Sequence, residues 1–144
     1  MSREEQLFWK FGKKFAKGTV LCREGEPGQE MFIIQKGKVQ VRKRVGKTEK
    51  VLAELSDGEF FGEMALLLGM DRSATVEVTE DSKILVVGPD TFESLLKNSP
   101  EIAMKMLKKM ALRLRALDDK LELALADHGP RTPPLPPEKG EGGG

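Results

Sequence analysis

The sequence predicts a mainly β domain: an antiparallel double-sheet jelly-roll barrel, flanked by a short N-terminal helix and a long C-terminal one. Two observations lead there. Between Gly18 and Gly88, short β-branched or alternating runs recur between glycine turns. After Pro89 the apolar period lengthens to that of a helix. Many short strands at regular spacing favour a barrel or jelly roll over a parallel sheet.

The elements follow in order. Residues 3–16 read as a short helix weighted with Phe8, Trp9, Phe11 and Phe15, aromatics that seal a domain edge. The runs 19–22, 31–35, 39–42, 51–55, 74–78 and 84–87 are strand candidates. Gly18, Gly25, Gly28, Gly37, Gly46, Gly58 and Gly62 punctuate them, several beside Asp, Glu or Pro. Residues 90–97 read as one helix. Ser99-Pro100-Glu101 opens another, with Ser99 as N-cap, Pro100 at the first helical position and Glu101 in the first turn. It runs to about Ala126, about 27 residues and roughly 40 Å at 1.5 Å per residue.

Along that helix Ala103, Leu107, Met110, Leu114, Leu117, Leu121 and Ala124 are spaced 4, 3, 4, 3, 4, 3. This is an a/d heptad seam, with Leu112, Leu123 and Leu125 off it. The helix outreaches a small barrel, so its distal half is expected to pair with a second copy of the chain. Residues 129–144 are rich in Pro and Gly and have too little apolar surface to offset ordering. The expected domain layout is a helical segment at 1–17, the jelly roll with its C-terminal helices at 18–127, and a disordered tail at 128–144.

Composition excludes several function classes. The 144 residues are 39% hydrophobic and 33% charged, enough for one domain plus tails. Lys plus Arg number 24 and Asp plus Glu 23, so a polyanion-binding surface over the whole chain is not indicated. Cys22 is the only cysteine and His128 the only histidine, which leaves almost nothing for zinc chemistry or histidine-based acid–base catalysis. A cupin-like enzyme on a similar barrel would need a His/Glu metal cluster. No metal or cofactor is expected, and no catalytic residue. No apolar run approaches the roughly 20 residues of a membrane span, and the charged start is no signal peptide. A cytoplasmic protein without membrane contact is expected.

One stretch carries chemistry. Phe60-Phe61-Gly62-Glu63-Met64-Ala65-Leu66 puts a glycine and a carboxylate at the mouth of a short apolar segment. Arg72-Ser73-Ala74-Thr75 follows, its arginine nine positions after Glu63. Glycine lets a backbone approach a ligand closely. Amides at the start of a short helix, those of Met64 and Ala65, can face a phosphate. Arg72 offers a donor fork matched to phosphate oxygens. Glu63 would accept from a sugar hydroxyl. A small anionic, sugar-bearing ligand fits the set.

These strings, with Gly18-Thr-Val-Leu-Cys-Arg-Glu-Gly25-Glu-Pro-Gly28, Met31-Phe-Ile-Ile-Gln-Lys-Gly37 and Leu55-Ser-Asp-Gly58, resemble the cyclic nucleotide-binding domain family over residues 10–126. That family includes the sensor domain of catabolite activator protein, kinase A regulatory subunits and cyclic-nucleotide-gated channels. The resemblance implies an eight-stranded jelly roll with helices at both ends. It implies that Gly62 and Ala65 give backbone amides to the ligand, Glu63 holds the ribose 2′-hydroxyl, and Arg72 pairs with the cyclic phosphate. Ser73 would add a hydroxyl to phosphate or purine, with Met64 and Ala74 beside them in the ligand-binding set. By collinear reading Leu117 and Asp118 face the purine, which is cyclic AMP or cyclic GMP.

The long helix is followed by the Pro/Gly tail and not by a helix-turn-helix, so direct DNA binding is not expected. The functional expectation is a stand-alone, dimeric regulatory sensor for signal transduction, acting through an unidentified protein partner. Two alternatives stay open: the nucleotide-sensing part of a Crp-like regulator, and a ligand-free structural dimerisation module.

Overall fold

The computed structural model describes Gln6 and residues 10–126. The chain forms two compact units, Met1–Lys105 and Met106–Gly144. In the first, six strands make one antiparallel sheet. They are β1 (Gly12–Phe15), β2 (Val20–Cys22), β3 (Met31–Val45), β4 (Thr48–Ser56), β5 (Phe60–Phe61) and β6 (Thr75–Val87). The order is β1-β6-β3-β4, with β2 paired to β6 and β5 to β3. Three helices have their bounds among the described residues: α1 (Glu63–Leu68), α2 (Pro89–Asn98) and α3 (Pro100–Ala126).

The fold is the expected mainly β, jelly-roll architecture with a long C-terminal helix. Cys22, Phe32, Ile34, Val39, Phe61, Val76, Val78 and Ile84 meet in one buried cluster. Both halves of β3 and both halves of β6 feed it, so the long strands serve both walls of the core. Phe32 and Phe61 stack with ring centroids 4.8 Å apart. Met31–Ile34 are all buried, as expected where both faces of a strand are covered.

Six strands are described where the resemblance implied eight: two pairs of the six candidate runs merge, and β1 and β5 are strands that no candidate run covered. Runs 31–35 and 39–42 are one strand, β3, and runs 74–78 and 84–87 are one strand, β6. Lys36-Gly37-Lys38 looks like a turn in sequence. In the fold it is a bulged stretch, with register shifts on both sides of Lys36 and again before Val39. Gly37 has φ 125°, and a Cβ there would overlap the Ser82 side chain and lie 2.7 Å from Ser82 Cα. Ser82 cannot yield easily, since Oγ accepts from Lys38 N at 3.1 Å and donates to Glu80 O at 2.6 Å. Gly37→Ala is therefore expected to cost about 1–3 kcal/mol from backbone strain and overpacking. Urea unfolding measures it, and an unchanged midpoint would show that the bulge does not need glycine.

The N-terminal helix expected over 3–16 is also corrected. Gln6 and Lys10–Phe11 are helical, but Gly12–Phe15 is strand β1, paired with Ser82–Leu85 of β6. Gly12 weakens helix continuation, and the β6 edge offers a ladder that no local pattern announces. Phe8, Trp9, His128 and the 128–144 tail lie outside the described residues. At the other end the sequence reading holds. Pro89 opens α2, and Ser99 precedes Pro100 of α3, its carbonyl accepting from Ile102 N at 3.0 Å.

The described part of the second unit is the distal stretch of α3. Leu107, Leu114, Leu117 and Leu121 of the seam are exposed on it, as are Leu112 and Leu123.

Candidate functional site

The site is assembled where β5 turns into α1 and where the chain enters β6. Gly62 sits at φ 84°, ψ 7°, a left-handed conformation that glycine adopts without strain, and it caps α1. The first helical bond in α1 runs from Leu66 N to Gly62 O at 3.4 Å, so the Met64 and Ala65 amides precede it. Ala65 is buried, Glu63 is half-buried, and the Met64 side chain is exposed. Met64 thus has its backbone, rather than its side chain, to offer the site.

Arg72 is the centre of the arrangement. It is only 8% exposed. Its Nη1 donates to the Glu30 carbonyl at 2.7 Å, and its guanidinium carbon lies 5.6 Å from the Phe32 ring centroid. A Cβ on Gly28 would fall 2.6 Å from Arg72 Cζ, and one on Gly62 would fall 3.0 Å from Nη1. Both glycines are what lets the fork lie flat between two backbones. The main chain of Arg72 is held as well: its N donates to Glu26 O at 2.9 Å, and its O accepts from Gly25 N at 2.8 Å.

No carboxylate forms an ion pair with Arg72 among the described residues. The rest of its donors make no hydrogen bond to them either. A nearly buried cation ordinarily has an anionic partner. Cys22 reports on the same surroundings: burial pushes its thiol up to about 11, Arg72 draws it down, and Glu30 and Glu63 push it up. The thiol is therefore a neutral core group at ordinary pH, not a nucleophile.

Ser73 is exposed and Ala74 half-buried at the head of β6. A network that sequence reasoning missed braces this segment. Lys43 Nζ donates to Ser73 O at 2.8 Å and lies 3.8 Å from Glu24 Oε2. Glu24 Oε1 accepts from Arg44 N at 2.9 Å, and Glu24 N donates to the buried Thr75 Oγ1 at 3.0 Å. The one available signal was Lys43 itself, which follows Val39 and Val41 at the period of an inward-facing strand. Gly28 and the Glu30 carbonyl were also missed, since a main-chain acceptor leaves no residue signature.

The first unit thus brings Gly62, Glu63, Met64, Ala65, Arg72, Ser73 and Ala74 into one region. Leu117 and Asp118 belong to the second unit, where both are exposed on α3. Among the described residues no group of three or more His, Cys, Asp or Glu is placed to hold a metal ion. No described helix is long and apolar enough to cross a membrane.

Comparison with known proteins agrees with the geometry. The family model described as "Cyclic nucleotide-binding domain" matches residues 12–99. The cyclic AMP receptor protein of Thermus thermophilus is 34% identical over 110 residues, 76% of this chain and 51% of that protein. A cyclic nucleotide-gated potassium channel of Rhizobium etli is 43% identical over 98 residues, 68% of this chain and 26% of the channel. The chain therefore spans about half of one curated relative and a quarter of the other. Among solved structures, the Thermus thermophilus catabolite activator protein superposes with TM-score 0.72 at 30% identity, covering 86% of this chain and 60% of that one. A chain described under "A cyclic-GMP-dependent signalling pathway regulates bacterial phytopathogenesis" gives TM-score 0.63 at 30% identity, covering 81% and 95%.

Proposed function

Because this chain belongs to the cyclic nucleotide-binding domain family, we propose that it is a regulatory sensor of a purine 3′,5′-cyclic nucleotide, one ligand per chain. The observation that carries the reading is Arg72: nearly buried, with no carboxylate partner among the described residues and with donors to spare. In this reading Arg72 takes the cyclic phosphate, with the Gly62 and Ala65 amides and Ser73 beside it, and Glu63 takes the ribose 2′-hydroxyl. A ligand that binds only the folded state raises its melting temperature. A thermal shift with cyclic AMP or cyclic GMP, absent with the linear monophosphate, tests the reading. No shift with either cyclic nucleotide on well-folded protein would refute it.

No catalytic role is assigned to any residue of this chain; the output is a protein contact. Binding alters a conformational equilibrium only through unequal affinity for two states. The segment from Gly62 to Leu68 is the part next to the phosphate, and the α2–α3 junction at Ser99 is the proposed hinge. Residues 18–127 would act as the functional unit, in the cytoplasm, paired with a second copy through the α3 seam. The sensing part of a Crp-like regulator is the second reading, favoured by the match to the cyclic AMP receptor protein.

For base choice, Asp118 is proposed to reach the purine edge beside Leu117. Guanine presents two donors to an ionised acid, whereas adenine presents one donor and a lone pair that repels it. Asp118→Ala is expected to weaken cyclic GMP selectively, about tenfold for a charged hydrogen bond, while cyclic AMP binds as well or better. Paired calorimetric titrations measure it, and equal changes for both ligands would remove Asp118 from the base site.

A further inference from the structure

We propose that the cleft over β1, β6 and β3 is a second anion site, separate from the nucleotide site, that binds a phosphate chain. Lys14 of β1 is in register with Lys83 of β6, and Lys83 with Lys36 of β3. All three line one cleft of about 510 Å³, with Phe15, Ala16, Asp81 and Ser82. Neighbouring strands lie about 4.8 Å apart, so the row spans roughly 10 Å at the backbone.

Like charges placed directly opposite on a sheet destabilise it, and here two such pairs are contiguous. The adjacent rows are different: Lys13 faces Ile84, and Gly12 faces Leu85. The side chains of Lys14 and Lys36 make no ion pair among the described residues. The cleft's own carboxylate, Asp81, accepts from Lys17 N at 2.9 Å, and the Ser82 hydroxyl is spent on Lys38 N and Glu80 O. Three lysines, Lys14, Lys36 and Lys83, thus line the cleft against one carboxylate, Asp81, with Phe15 as an apolar wall.

A simpler role for edge lysines is to block pairing with other chains. That accounts for Lys14 on β1, the end strand of the sheet order. It does not account for Lys83 and Lys36, which lie on the interior strands β6 and β3. Register shifts on both sides of Lys36 re-aim its side chain, as bulges do at functional sites. The volume is within the range of small-molecule sites. Lysine meets phosphate as a point charge, and a phosphate chain concentrates several charges within the length of this row. Carboxylates on one face of an extended peptide stand about 6.6 Å apart or more, which spreads the same charge beyond it. The chain is either inorganic or carried on a nucleoside whose ring lies against Phe15.

Calorimetry and thermal shift with sodium tripolyphosphate and with ATP, at ionic strength held constant with sodium chloride, test the proposal. The wild type, Lys14→Gln/Lys36→Gln, each single lysine variant and Arg72→Ala are compared. Both probes are expected to bind the wild type and Arg72→Ala alike. The double variant is expected to lose at least tenfold in affinity, and to melt higher than the wild type without ligand because the repulsion is relieved. Tighter binding of ATP than of tripolyphosphate identifies the nucleoside-borne form, and equal or weaker binding the inorganic one. The proposal is overturned if the wild type binds neither probe, if the lysine variants bind as the wild type does, or if Arg72→Ala abolishes binding. Binding of a glutamate-rich peptide in place of tripolyphosphate also overturns it.

Discussion

Arg72→Ala is expected to lower affinity for the cyclic nucleotide by about 10- to 100-fold or more, since a hydrogen bond to a charged group contributes about 1.5–3 kcal/mol and the fork makes more than one. The same change removes the bond from Nη1 to Glu30 O and the packing on Phe32. Some stability, about 1–2 kcal/mol, is therefore expected to go with it. Titration with cyclic AMP and cyclic GMP alongside urea unfolding separates the two effects. Arg72→Lys keeps the charge but not the fork, and should fall between wild type and alanine. If Arg72→Ala unfolds the chain, the arginine is structural and the phosphate assignment fails. Glu63→Ala should also weaken binding and reduce discrimination against the 2′-deoxy ligand.

Leu114→Glu combined with Leu121→Glu is expected to convert a dimer to a monomer. Leu107, Leu114, Leu117 and Leu121 are 58–64% exposed on α3, an apolar stripe at heptad spacing that a parallel partner would cover. The double change puts four carboxylates into a two-chain seam, each poorly solvated there. Sedimentation measures the outcome with and without nucleotide. A wild type that is monomeric at tens of micromolar in both conditions would remove the seam from the account.

How far the fold was legible depends on whether each signal is local. Glycines beside Asp, Glu or Pro, the Ser99-Pro100 start and the heptad spacing are local, and they placed β2, α2 and α3 to within a residue or two and the central parts of β3, β4 and β6, but not β1 or β5. The joining of 31–35 to 39–42 was not local. It depends on Gly37 packing against Ser82, 45 positions away in the chain. β1 was missed for the same reason, since its partner is Ser82–Leu85. In the site, Gly62, Glu63 and Arg72 were readable because their side-chain chemistry, or lack of a side chain, matches a ligand's groups. The Glu30 carbonyl under Arg72 carries no such mark. Gly28 looks like any turn glycine until the guanidinium beside it is seen.

The most direct test of the central claim is calorimetric titration of the intact chain with cyclic AMP, cyclic GMP and the corresponding linear monophosphates. Saturable binding of at least one cyclic nucleotide is expected, with one site per chain, reduced about tenfold or more in Arg72→Ala, and no comparable binding of the linear forms. Folded wild-type protein that gives no heat and no melting shift with either cyclic nucleotide would contradict it.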